Sequence, residues 1–190
     1  GLRSESVKNN GINHLISALL TKGTQARTAR EIADETESLS GHIDGSMGRN
    51  ILGLSCTFLS EKIVEGMELF FDILLHPSFP EKEIAIEKGH TFTAIRNEGD
   101  SLSSVAMKKF LKGLYPRHPY GLPALGTTSS VRSLRRSDLI RHYKETVRPD
   151  NIVISIVGDV SCREIRERLE EKLADWQAFT RSVRLVLEGT

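Results

Sequence analysis

Charge of one sign is what this chain has least of. Twenty-six Lys and Arg face twenty-five Asp and Glu, for a formal net charge of +1, so no global field selects nucleic acid or an anionic membrane. Cysteine is scarce. Cys56 and Cys162 are the two present, and their separation fits neither a metal-ligand pair nor a disulfide framework, which leaves two ordinary thiols. No apolar run approaches the roughly 18 residues that a membrane span needs. The opening GLRSESVKNN lacks the basic start and apolar core of a secretory leader. Internal repeats and low-complexity segments are missing too. What remains is a chain of 190 residues, 38% hydrophobic and 27% charged, enough for one domain with a substantial core.

The informative stretch is Asn10 to Thr24, NGINHLISALLTKGT. Ile12, Leu15, Ile16, Leu19 and Leu20 recur at helical spacing. Asn9 or Asn10 is placed to cap the start and Gly23 to stop the end. His14 is the polar anomaly of this helix. A second helix follows over Thr28 to Ser40, where Thr28 and Glu31 form a capping box and Gly41 ends it.

His42 to Asn50 and Ile51 to Leu59 predict an antiparallel hairpin. In the second stretch Leu52, Leu54, Cys56 and Phe58 share one face. Ser60 caps a helix with Ile63, Val64, Met67, Phe70, Phe71 and Leu74 as its apolar stripe, and HPSFP ends it. Glu81 to Glu98 predicts a long helix. Ser101 to Leu114 predicts another, with Leu102, Val105, Ala106, Phe110, Leu111 and Leu114 inward. Tyr115 to Gly126 is a loop punctuated by proline and glycine, with His118 packed within it. A short helix from Thr127 to Leu134 and one beginning near Ser137 follow. Asn151 to Val157, NIVISIV, is apolar on both faces and predicts a central strand. Ser161 caps a last helix with Ile165, Leu169, Leu173 and Trp176 inward. The domain is expected over residues 1–176. Residues 177–190 read as a linker or the start of a next segment, with Val183 to Leu187 open between strand and linker. Three strands are few for an α+β layer fold. Arg132, Arg135, Arg136 and Arg141 cluster, but aromatics do not interleave with them as a nucleic-acid surface needs, and they read as a solvated face.

Several segments, in order, resemble the pitrilysin, insulinase and mitochondrial processing peptidase family. His14-Leu15-Ile16-Ser17-Ala18 stands where that family has its inverted zinc motif, His-x-x-Glu-His. Lys22-Gly23-Thr24 follows as the family's Lys-Gly-Thr does. Gly1-Leu2-Arg3, Asn10-Gly11-Ile12, LLHPSFP at Leu74 to Pro80, YPRHPYGLPALG at Tyr115 to Gly126, Arg148-Pro149-Asp150-Asn151 and Val157-Gly158-Asp159-Val160 extend the match over roughly residues 1–176. The resemblance implies an α+β fold, a mostly antiparallel sheet with helices packed on it. It also implies two further strands before Gly1, whose lack would leave a sheet edge open to self-association.

It also implies what is missing. The family's zinc needs two His at i and i+4, a Glu between them to polarise water, and a third ligand Glu on the long helix. Here those positions are His14, Ala18, Ser17 and Ala94, and the family's supporting Glu is retained as Glu87. No catalytic residue and no metal are expected in this chain. The resemblance therefore implies a non-catalytic domain that forms chamber wall and substrate or partner contacts. Its partner would be a zinc-bearing catalytic half, in the same polypeptide or in a partner subunit, and the assembly a zinc metalloendopeptidase acting on peptides. Neither nucleic acid nor membrane is expected as a partner. Two rivals are a purely structural scaffold without any active half, and a rebuilt site in which His14, Glu87 and His90 hold a metal in new geometry. The family occupies cytoplasm, periplasm and mitochondria, and nothing in the sequence chooses among them.

Overall fold

The computed structural model describes residues 1–174 and 176; the expected linker over 177–190, and with it Val183 to Leu187, lies outside the described residues. The N-terminal segment is less featureless than its polarity predicts. A 3-10 turn, Leu2–Ser4, buries Leu2. Helix α1 then runs Ile12–Leu19 and tightens into a 3-10 turn over Leu20–Lys22. Leu15, Ile16 and Leu19 are fully buried. The predicted apolar spacing thus gives a helix enclosed on most sides, packed against β1, α4 and α7.

Its cap differs from the prediction. The residue before the helix is Gly11, with φ 93°, and neither Asn9 nor Asn10 caps it. That left-handed conformation favours glycine. The amides at the start of α1 are satisfied from upstream instead: those of Gly11 and Asn13 by the Glu5 carboxylate, and that of Ile12 by the Asn9 carbonyl. At the other end Lys22-Gly23-Thr24 leads into a clasp. Thr24 Oγ1 accepts from the amides of Ala26 and Arg27 and donates to Asp72 Oδ2 at 2.7 Å. Arg27 donates to that same carboxylate and, through Nε, to Glu35, each at 2.7 Å.

Helix α2, Ala29–Ser38, has the predicted Thr28–Glu31 capping box. The chain turns at Ser40, whose φ of 50° takes the role expected of Gly41. The hairpin is as read: β1, His42–Met47, pairs antiparallel with β2, Leu52–Thr57, with Ile43 opposite Cys56 and Gly45 opposite Leu54. Leu52 and Leu54 pack on the core, and Cys56 is exposed, outside the inward face predicted for it. β1 lies so close on α1 that a Cβ at Gly45 would sit 2.0 Å from the Ser17 carbonyl oxygen. Only glycine lets these two backbones approach this way.

Helix α3, Ile63–Leu75, is buried on more than the predicted stripe. Leu69 and Ile73 enter the main cluster with α1, while Met67, Phe71 and Leu74 enter a second one with the last helix. Helix α4, Glu81–Asp100, and α5, Leu102–Leu114, join across Ser101. Helix α6, Thr128–Ser133, and α7, Arg136–Thr146, follow the proline-rich loop. Helix α8, Cys162–Leu173, buries Ile165, Leu169 and Leu173 as expected.

The architecture is therefore α+β, with helices packed on an antiparallel sheet, but among the described residues that sheet has two strands. Two predictions fail here. NIVISIV is not a central strand. Its backbone is extended at Ile152 (φ −124°, ψ 147°), and Ile152 and Ile154 pack on the second cluster. Yet it joins no ladder, and Val153 and Val157 are 92% and 95% exposed. The residues favour an extended chain, but no described neighbour pairs with it. Helix α5 is the second failure: no residue of it is buried.

Candidate functional site

The motif positions lie where α1 meets α4. α1 presents His14, Ser17 and Ala18; α4 presents Glu87 and Ala94. The tertiary structure brings the charged members within electrostatic range. His14 is half-buried, and burial pushes its pKa below the ordinary 6.5, partly countered by Glu87, then Glu5, then Glu98. Ser17 is buried, and its hydroxyl donates to the carbonyl of His14 at 2.9 Å. That internal bond turns Ser17 back onto its own helix. Ala18 and Ala94 end in methyl groups, which offer no lone pair to a cation.

Glu87 has a lysine and a histidine beside it. Lys22 Nζ lies 3.9 Å from its Oε1, and His90 Nδ1 lies 3.3 Å from its Oε2. Glu98, one turn beyond Ala94, is ion-paired to Lys108 of α5. His90 is exposed, on an i,i+3 contact along its own helix, so it faces solvent. Among the described residues no three His, Cys, Asp or Glu side chains come together as a metal-holding group. His14, Glu87 and His90 thus do not assemble the rebuilt ligand set. A zinc ion needs three or four donors around one point, and the motif positions supply one imidazole.

The structure also shows a polar cluster that the sequence did not announce. Glu5 is buried, and its carboxylate accepts from the amides of Gly11 (2.7 Å) and Asn13 (3.0 Å) and from the side-chain amides of Asn10 and Asn13. It acts as the N-cap of α1 from outside the helix and complements the positive end of its dipole. Asn13 Oδ1 in turn lies 3.2 Å from Nε2 of His142 on α7. Burial lowers the pKa of His142 below 6.5. The one hint in the sequence was a helix opening on Gly11 with an acidic residue six positions upstream.

The arginine cluster is not uniformly a solvated face. Arg136 donates to the carbonyls of Ser78 and Phe79, fixing the turn where Phe79 adopts φ 47° with its ring buried against Tyr143. Arg132 and Arg135 are exposed. His118 stays exposed in the proline-rich loop rather than packed within it: its Nδ1 accepts from the Tyr120 amide, and its ring meets those of Tyr115 and Tyr120 at the surface.

Comparison with known proteins agrees with this layout. The family model of the insulinase family (peptidase family M16) matches residues 1–128. An uncharacterized zinc protease of Rickettsia bellii is 29% identical over 170 residues, covering 90% of this chain and 41% of that protein. A protease from Helicobacter pylori superposes with a TM-score of 0.87 at 19% identity, over 98% of this chain and 45% of the other. A peptidase M16 inactive domain from Pseudomonas fluorescens superposes with a TM-score of 0.81 at 21% identity, over 92% and 42%. The chain thus spans well under half the length of these relatives.

Proposed function

The chain belongs to the insulinase family, peptidase family M16, and from that premise we propose that it is a non-catalytic unit of a zinc peptidase. It contributes chamber wall and peptide contacts to an active half that carries the intact His-x-x-Glu-His motif. One observation carries the reading. The motif helix packs against β1 and α4, and its positions carry Ser17 and Ala18, with Ala94 facing the same place in the family pattern on α4. Ser17 is tied to the His14 carbonyl, and a hydroxyl near neutral pH is no general base. Ala18 and Ala94 hold nothing. These residues do not fit a zinc ion, and no hydrolytic step is assigned to this chain.

What remains suits a wall. Glu87 and Glu98, the carboxylates nearest the motif positions on α4, face Lys22 and Lys108. Among the described residues β1 pairs only with β2, so the backbone groups on its other side have no ladder partner there. An open edge hydrogen-bonds an extended peptide through its backbone. An inactive domain among the structural neighbours is in keeping with this reading.

The test is zinc stoichiometry after dialysis against trace zinc. The expected value is near zero per chain. The double substitution Ala18→His and Ala94→Glu rebuilds a His/His/Glu set around His14 and is expected to raise it to about one, because catalytic zinc sites take three protein ligands. A stoichiometry near one in the unmodified chain, lost on His14→Ala, overturns the proposal.

A further inference from the structure

The side-chain amide of Asn10 has one end that the fold leaves unmet. The residue is 1% exposed. Its Nδ2 donates to Glu5 Oε2 at 2.8 Å and to the Pro123 carbonyl at 2.9 Å, and its backbone carbonyl accepts from Ser130 Oγ at 2.8 Å. The two Nδ2 bonds fix which way the amide faces, because a flip would set an oxygen against the Glu5 carboxylate and the Pro123 carbonyl. Oδ1 is then a buried acceptor without a donor among the described residues. Buried polar groups are nearly always paired, and one left alone costs stability.

Asn10 borders a cleft of about 590 Å³, set between the segment that leads into α1 and residues 122–133, where the proline-rich loop passes into α6. That volume lies in the range of small-ligand sites. Three features face a ligand there. Asn10 Oδ1 calls for an N–H or O–H donor. Val7, Leu122 and Pro123 form apolar walls, and Val7 is 77% exposed. Lys8 stands at the rim, exposed and in no ion pair among the described residues. The buried Glu5 carboxylate lies behind Asn10, so a ligand's negative charge belongs outside, at Lys8, and its donor inside, at Asn10.

An N–H donor, an apolar side chain and a carboxylate within one residue are what the C-terminal residue of a peptide offers. We infer that this cleft takes such a residue. Its amide N–H donates to Asn10 Oδ1, its carboxylate pairs with the Lys8 ammonium, and its apolar side chain lies against Val7, Leu122 and Pro123. The carboxylate–ammonium contact is the charge-assisted, stronger kind of hydrogen bond. A free amino acid is disfavoured, because its own ammonium would stand beside that of Lys8. The inference goes beyond the non-catalytic reading and does not depend on it.

The test titrates the uniformly nitrogen-15-labelled chain with N-acetyl-leucine, the smallest form of such a residue, and follows the side-chain amide resonances of Asn10 by NMR. The expected result is a saturable shift with a Kd of about 1 mM, the affinity a ligand of this size reaches. N-acetyl-leucinamide, which lacks the carboxylate, is expected to bind about tenfold more weakly. Lys8→Gln is expected to weaken N-acetyl-leucine by about the same factor and to leave the amide's binding unchanged. Lys8 is exposed, so that variant is expected to keep the melting temperature of the unmodified chain. Absence of a saturable shift means that solvent alone meets Oδ1, and it overturns the inference. So does equal binding of the acid and the amide, or equal binding of N-acetyl-leucine by the unmodified chain and Lys8→Gln. Tighter binding of free leucine than of N-acetyl-leucine assigns the cleft to an amino acid and also overturns it. Each of these outcomes leaves the non-catalytic reading standing, since that reading is decided by zinc content.

Discussion

Glu5 is the buried charge that anchors the start of the motif helix. Four donors converge on its buried carboxylate, and two of them are the backbone amides of Gly11, just before α1, and Asn13, in its first turn. Glu5→Gln keeps one oxygen but turns an NH2 group toward donors. We expect a loss of about 1–3 kcal/mol, the cost of leaving buried donors unsatisfied, read as a lower urea midpoint at unchanged slope. His142 makes a pH prediction. Burial sets its folded pKa below the 6.5 of the unfolded chain, so over the interval between the two values the unfolded state binds more protons. Its contribution to stability is whole above about pH 6.5 and declines as pH falls through the folded value. His14 acts in the same direction. The thermal midpoint is expected to fall between about pH 7.5 and pH 5.5, and His142→Gln to make that fall shallower.

At the scale of elements, the sequence was most legible where caps and local contacts decide. The Thr28–Glu31 box is present as read, and Thr28→Ala is expected to cost about 1 kcal/mol, measured by chemical denaturation. The α1 stripe, the hairpin and the inward face of α8 were equally plain, because each is fixed by residues within one or two turns of each other. α5 and NIVISIV were misread for a shared reason. Periodicity marks a face as apolar but says nothing of whether another element covers it. Of the candidate site, the motif positions and Glu87 were legible from their order along the chain. The Glu5–Asn13–His142 cluster was not, since its members lie on segments 129 residues apart that only packing brings together. Nor was the Lys108–Glu98 pair, which depends on α5 folding back along α4.

For the molecule as a whole, the unpaired extended segment has a consequence. Ile152 and Ile154 hold it against the second cluster while Val153 and Val157 stand in solvent, and its backbone groups have no ladder partner among the described residues. Such a segment templates pairing with another chain. The 190-residue chain is expected to self-associate, seen in light scattering as a mass that rises above the monomer's with concentration. Val153→Lys/Val157→Lys is expected to suppress that rise with little effect on the melting temperature, because both side chains are already outside. A strict monomer at high concentration sinks this prediction.

The sequence by itself determined which segments are helix and hairpin, the family, and the residue types at Ser17, Ala18 and Ala94, because composition, periodicity and motif order are properties of the chain alone. Only the tertiary structure decided that Glu5 caps α1, that lysines face the carboxylates beside His14, and that the apolar side of α5 looks outward. Each of these depends on which distant surfaces bury one another, and burial and charge pairing belong to the packed molecule.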